Sequence, residues 1–279
     1  MDNFTVQVIN TSFSYKDKNV FHGISFSIRP GEVFCVLGPN GCGKTTLLDC
    51  VLGILKPDTG SILVGNKDIR SIKPANLAEK IAYVPQNHEK SFPYMVRDIV
   101  VMGRAHKTSL FSAPAEIDRH IAMEALEKVG ISDLADVPYT KISGGQCQLV
   151  MIARALAQQP ELIVMDEPTS HLDFKNELLV LETIAGLVKN QRISVLMATH
   201  FPNHACYFET NRVPTTLVLM NNGIFQENGT PYKILNEKNI LQTYQINSKI
   251  LDFKMDEETS IRQIVPLSIA REEGGTHES

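Results

Sequence analysis

Between positions 38 and 46 the chain reads Gly38, Pro39, Asn40, Gly41, Cys42, Gly43, Lys44, Thr45 and Thr46. Glycines at such spacing let backbone N–H groups approach phosphate oxygens. The lysine then reaches the terminal phosphates, and the Thr45 hydroxyl is placed to hold Mg²⁺. The apolar run Val33 to Leu37 precedes the loop and the helical Leu47 to Leu52 follows it, so strand, glycine loop and helix occur in the order this chemistry needs. A glycine-rich turn that binds nothing is the competing explanation; the complete pattern in that order favours a nucleotide. Alone, it does not separate a kinase from an ATPase.

Two acids, Asp166 and Glu167, follow the buried-strand pattern Leu162 to Met165. The end of such a strand is the usual ligand edge of a parallel sheet. Asp166 suits a metal shell. Glu167 suits a base beside a terminal phosphate, where orienting and deprotonating water is worth roughly 10²- to 10⁴-fold. Without the phosphate loop, a pair of solvated acids opening a loop would be an equal reading.

Ser143, Gly144, Gly145 and Gln146 stand ahead of the helical stretch Leu149 to Ala157. Ser143 as N-cap with Gln146 three residues later is a capping box, worth about 1 kcal/mol to the helix. That explanation leaves the two glycines over. Paired glycines expose backbone donors at the positive end of a helix, a second phosphate-binding surface in the same chain.

The elements that must position these residues follow from periodicity. Phe4, Val6, Val8, Phe13 and Tyr15 alternate as edge-type strands, with Phe26 and Ile28 after a turn at Lys16 to Asn19. From about His88 to Gln159 the spacing turns helical, as in Ile121, Ala122, Ala125, Leu126 and Val129. Leu162 to Met165 and Ile193 to Ala198 return to continuous apolar runs that suit a parallel sheet covered on both faces. Leu217 to Met220, Asn221-Asn222-Gly223 and Ile224-Phe225 read as a hairpin. Ile250 to Phe253 and Ile261 to Val265, around the acidic Asp256 to Glu258, read as a last strand pair. Arg271 to Ser279 is polar and expected to be disordered.

Six ordered motifs carry a resemblance: the phosphate loop, Tyr83-Val84-Pro85-Gln86, Ile142 to Gln146, Met165-Asp166-Glu167-Pro168, Ser170-His171-Leu172-Asp173, and Thr199-His200. In this order they resemble an ABC (ATP-binding cassette) ATPase over about Phe4 to Tyr232. The resemblance implies an α/β fold: a P-loop NTPase (RecA-like) core with an N-terminal antiparallel β layer and an inserted α-helical subdomain. The expected organisation is an ATPase domain over 1–235, with the insert at about 88–159, and a C-terminal extension over 236–279. The implied cofactors are ATP and Mg²⁺. By resemblance Tyr15 stacks on adenine, Gln86 reaches the metal and the attacking water, and His200 contacts the γ-phosphate. In isolation each has a plainer explanation: a strand aromatic, a loop amide and a structural histidine. The resemblance also implies that Ser143 to Gln146 binds nucleotide held by an opposing cassette, with Asp173 at the shared interface coupling the two sites.

The stretch Phe92 to Val100 with Met102-Gly103-Arg104, together with Leu149 to Ala157 and Ser170 to Asp173, is most similar to ATPases of metal-chelate importers for ferric siderophores, haem or cobalamin. The expected partners are a second cassette, in a homodimer, polytopic permease subunits docking after Gln86, and indirectly a substrate-binding protein. Other importers, including those for free metal ions, share this helical surface. Three departures from the family pattern stand out. Cys42 occupies the phosphate loop, and blocking its thiol is expected to inhibit ATP binding unless nucleotide protects it. Cys147 follows the signature where arginine is common. Phe201 replaces an aspartate after His200, with an unusually long Ala205 to Thr216 behind it.

Composition excludes several classes. The 279 residues, 43% hydrophobic, carry a net charge of -4 and a sequence pI near 6.1, which provides no overall basic field for nucleic acid. The five cysteines are scattered without metal-knuckle or redox spacing, which fits a reduced cytosolic setting. Met1 to Asn10 does not read as a secretory signal, and no apolar run approaches the roughly 18 to 20 residues of a membrane span. The expected location is peripheral, at the cytoplasmic face of the membrane. An exporter ATPase, a nucleic-acid ABC ATPase and a small-molecule kinase are the remaining alternatives. The last does not account for Ser143 to Gln146.

Overall fold

The computed structural model describes residues 4–16, 18–86, 92–107, 113–254 and 260–270. A bulged antiparallel pair opens the chain, β1 (Val6–Tyr15) and β2 (Lys18–Ile28). β3 (Val33–Leu37) is buried at every position and runs into α1 (Lys44–Val51). β4 (Thr59–Val64) and the short β5 (Lys67–Asp68) complete a four-stranded antiparallel layer in the order β2-β1-β4-β5. The expected N-terminal β layer is therefore present, and it recruits β4, whose period the sequence reading passed over.

α2 (Pro74–Ala78) leads to β6 (Ile81–Val84), after which the chain leaves the sheet through α3 (Val96–Val101), α4 (Glu116–Lys128) and α5 (Gly144–Ala157). It returns as β7 (Leu162–Asp166), α6 (Phe174–Gln191), β8 (Ser194–Thr199), α7 (Pro202–Thr210), β9 (Thr215–Asn221) and β10 (Ile224–Gly229). The main sheet has six strands in the order β10-β9-β3-β8-β7-β6, parallel except for β10. The helical elements α3, α4 and α5 lie between β6 and β7 in the chain, as the periodicity predicts. The stretch that reads as a long connection after His200 is largely helix, α7.

Period-two geometry sends alternate residues of each strand to opposite faces. Cys35, Met165, Met197 and Leu219 join one core with α4, α5 and α6. Phe34, Val36, Val164 and Ala198 join the other with α1 and the antiparallel layer. Leu126 and Ile152 are fully buried in the first core; such side chains each contribute about 1.5–3 kcal/mol relative to exposure.

α8 (Pro231–Ile234) and α9 (Glu237–Tyr244) precede a separate antiparallel pair, β11 (Ile246–Lys254) and β12 (Ser260–Ile269). This is the expected last strand pair, longer at both ends than its apolar residues indicate. Asn203 of α7 holds it, accepting from the Ile264 N–H at 2.9 Å. Residues 271–279 and Asp256 to Glu258 lie outside the described residues.

Candidate functional site

β3 delivers the glycine loop to a crowded strand end. A Cβ on Gly38 would lie 2.1 Å from the Met220 carbonyl oxygen, so only glycine fits. The loop enters α1 through Gly43, whose φ of 105° is left-handed. Lys44 then folds back over its own loop. Its Nζ donates to the carbonyl oxygens of Gly38 at 2.8 Å and Pro39 at 3.1 Å, and lies 3.8 Å from Glu167 Oε1.

The two acids at the end of β7 have different surroundings. Asp166 is buried, with the Thr45 hydroxyl beside it. Burial holds its carboxyl above the usual carboxylate range; Thr45 and Lys44 pull it back, and neighbouring Glu167 pushes the same way as burial. Glu167 adopts a left-handed φ of 45°, with its N–H donating to the Ala198 carbonyl at 3.0 Å. Gln86 Nε2 donates to Glu167 Oε2 at 3.1 Å, and His200 Nδ1 lies 3.0 Å from the same oxygen without hydrogen-bond geometry. Three residues far apart in the chain thus meet at one carboxylate.

A cavity of about 700 Å³ opens above this cluster. Of the residues expected from sequence, Tyr15, Asn40, Gly41, Gly43, Lys44, Thr45, Thr46, Gln86 and Glu167 line it. The Tyr15 ring is half exposed, with Phe13 edge-on at 4.8 Å. Lys18, Asn19, Val20, Asn222 and Gly223 complete the wall. Sequence reasoning missed them: the Asn222-Gly223 pair signals only a hairpin turn. What brings that turn to the cavity is a contact between sheets, the His22 N–H donating to the Gly223 carbonyl at 2.9 Å.

Cys42 departs from expectation. Its thiol is buried in the core on the α1 side, and burial raises its pKa, so it does not present a reactive thiolate to solvent. Gly38, Pro39 and Cys42 do not line the cavity; the first two act through carbonyls bonded to Lys44. Cys147 likewise faces inward, fully buried in the other core.

Ser143, Gly144, Gly145, Gln146 and Asp173 are not part of this cavity wall. The capping box is real: Gln146 N donates to Ser143 Oγ at 3.2 Å, and Ser143 N to Gln146 Oε1 at 2.9 Å. The two glycines have different reasons. A Cβ on Gly144 would meet nothing within 4 Å, whereas one on Gly145 would lie 2.3 Å from the Asn176 side chain. Asn176 is in turn fixed by Asp173, which N-caps α6 through Oδ1 at 2.8 Å and accepts from Asn176 Nδ2 at 2.8 Å. The signature and Asp173 therefore form one joined surface, separate from the phosphate loop of the same chain.

After His200, Phe201 takes the place of the family's aspartate as packing. Its ring lies 3.9 Å from that of His200 and 5.1 Å from that of His204, centre to centre.

A strand–glycine loop–helix, a paired-acid strand end and a separate capped glycine helix on this sheet define an ATP-binding cassette. The sequence profile described as ABC transporter matches residues 21–170, and the chain belongs to that family. It is an ABC-type ATPase that binds ATP. A probable iron chelatin transport ATP-binding protein of Helicobacter pylori is 39% identical over 81% of this chain and 88% of its own length. A molybdate import ATP-binding protein of Haemophilus influenzae is 40% identical over 72% of this chain and 75% of its own. A solved ABC transporter chain, described as of metal-chelate type in an inward-facing conformation, superposes with a TM-score of 0.82 at 34% identity, covering 95% of this chain and 98% of that one.

Proposed function

We propose that this chain is the ATP-hydrolysing subunit of an importer for a metal chelate of the iron-siderophore, haem or cobalamin kind, and that it works as a pair of cassettes. The observation that carries the pairing is the separation of Ser143 to Gln146 from the cavity around Lys44. A nucleotide held by Lys44, Thr45, Thr46 and the loop N–H groups still needs donors on its open side. The exposed Gly144 end of α5 on a second copy supplies them.

Within each site, Tyr15 stacks on adenine and Lys44 binds the terminal phosphates. Glu167 takes the proton of the attacking water, Gln86 reaches the metal and that water, and His200 contacts the γ-phosphate. Thr45 and Asp166 are oxygen donors of the kind Mg²⁺ prefers, and a buried carboxylate beside a hydroxyl fits that ion. When bound, Mg²⁺ neutralises phosphate charge. Asp173 couples the two sites across the pair.

For the membrane side, Phe92 and Tyr94 stand exposed with their rings 5.9 Å apart. In the helical insert is a cavity of about 730 Å³, lined by the apolar Val101, Met102, Ala105, Pro114 and Met123 and by the charged Arg97, Asp98 and Arg119. A short permease helix presenting an apolar side chain suits it. Residues 87–91 lie outside the described residues. No helix among the described residues is long and apolar enough to cross a membrane. In this reading the permease supplies the membrane path and the chain sits peripherally at its cytoplasmic face. A substrate-binding protein delivers cargo on the other side. The proposed division is an ATPase domain over 1–235, containing the insert at about 88–159, with an extension over 236–279. The chelate cargo is supported by the iron chelatin relative and the metal-chelate structure; the molybdate relative favours a second reading, import of a metal oxyanion.

Glu167→Gln tests the core of this reading. It is expected to bind ATP, lose at least about 10²-fold in turnover, and elute as a dimer only with ATP. Normal turnover would remove Glu167 as base; a monomer at saturating ATP would sink the pairing.

A further inference from the structure

β8 ends at Thr199, which is 1% exposed and has a hydroxyl in the interior. That hydroxyl accepts from the Phe201 N–H at 3.1 Å, fixing the peptide that follows His200. It also lies 3.2 Å from His204 Nδ1, in the first part of α7. His204 is 2% exposed, and its Nε2 is 2.7 Å from Glu177 Oε1.

The proton positions follow from what each group can do. A carboxylate only accepts, so His204 Nε2 carries the hydrogen; Nδ1 then accepts from Thr199, whose oxygen remains free to accept from Phe201. Every donor has one acceptor. This scheme needs a neutral imidazole, and burial lowers the His204 pKa, favouring the neutral ring against the pull of Glu177. Glu177 itself stands in the first turn of α6, its N–H donating to the Asp173 carbonyl at 2.8 Å.

We propose that Thr199, His204 and Glu177 are positioning residues that set the main chain at His200, and with it the distance from the His200 ring to Glu167, by anchoring it to the first turn of α6. None of the three lines the nucleotide cavity. The need for such a relay is local. His200 Nδ1 lies 3.0 Å from Glu167 Oε2 without hydrogen-bond geometry, and Phe201, whose ring is tilted 40° to the imidazole at 3.9 Å, offers no polar side chain to hold it. The main chain then carries much of the placing of the imidazole, and the relay grips the N–H immediately after it. The Tyr244 hydroxyl donates weakly to the His200 carbonyl at 3.4 Å, a second and looser hold from the C-terminal extension.

The inference rests on the reading that His200 assists hydrolysis at Glu167, and the experiment separates the two. ATPase kinetics of the full chain are compared for Thr199→Val, Thr199→Ser, Glu177→Leu, Glu177→Gln, His200→Ala and the Thr199→Val/His200→Ala double variant. Thr199→Val keeps the shape and removes the hydroxyl. It is expected to lower kcat about tenfold with KM for ATP held within about twofold, because a small misplacement of a reacting group acts on turnover. Thr199→Ser restores turnover. Glu177→Leu, at a half-buried position, lowers kcat in the same way, while Glu177→Gln retains an acceptor and stays near wild type. The double variant is no slower than His200→Ala alone. Wild-type turnover in His200→Ala would overturn the reading of His200 itself. An impaired His200→Ala beside a normal Thr199→Val, or a double variant slower by the full tenfold, would overturn the relay and leave the site intact.

Discussion

The Asn176 side chain occupies the space that any side chain on Gly145 would need, 2.3 Å from where its Cβ would stand. Gly144, one residue earlier, faces open space. Gly145→Ala is therefore expected to destabilise the chain by about 1–3 kcal/mol through overpacking against an asparagine already bonded to Asp173. Gly144→Ala should change stability by no more than about 0.5 kcal/mol. Chemical denaturation of both variants distinguishes them; equal effects would refute the division.

Tyr15 offers a half-exposed ring to the cavity, backed by Phe13. Removing the ring as Tyr15→Ala should raise KM for ATP by about tenfold with little change in kcat, since base stacking is worth roughly 1–3 kcal/mol and is made equally in ground and transition states. Tyr15→Phe should remain close to wild type. A fall in kcat without a change in KM would place the ring elsewhere.

All five cysteines are free and buried. Burial pushes the Cys50 and Cys206 thiols up to about 12 and raises Cys35 and Cys42 as well. A thiol reagent at neutral pH should label the native chain at least about 10²-fold more slowly than the unfolded chain, with little added protection from ATP at Cys42. Rapid, ATP-sensitive labelling of Cys42 would restore the sequence-based expectation of a reactive loop thiol.

Glu32 at the start of β3 is buried, which raises its carboxyl pKa, even though it accepts from the Arg29 N–H at 2.7 Å and faces the Arg29 guanidinium. With the folded pKa above the unfolded value of 4.5, the native state holds this proton more tightly. Glu32 then lowers stability as pH rises through the window from 4.5 to the raised folded value, and the loss is complete above it. Glu32→Gln keeps an acceptor for Arg29 and carries no charge. It should gain on wild type across that window and keep the advantage at neutral pH, as thermal melts at several pH values would show. An advantage confined to acid would reverse the sign and reject the account.

Much of this chain was legible because its chemistry is local. The phosphate loop places glycines, lysine and hydroxyls within one turn between a strand and a helix, and a capping box needs only residues three apart, so both can be read from spacing. The same holds for the helical stretch between β6 and β7 and for the apolar runs of β7 and β8.

Where side chains point was another matter. That Gln86 and His200 meet at Glu167 depends on the parallel register of β7 with β6 and β8 and on the left-handed conformation of Glu167. That Cys42 turns inward, that Gly145 yields to Asn176, and that Asn222 reaches the cavity from a distant hairpin all depend on contacts between elements. Residue types and spacing determined that this chain holds a phosphate loop and a capped glycine helix, because each signal lies within a few residues; the cassette followed from the resemblance of six motifs in order. Only the tertiary structure decided which of those residues face one another, because that is set by strand register, helix packing and single backbone conformations, none of which leaves a periodic trace in the sequence.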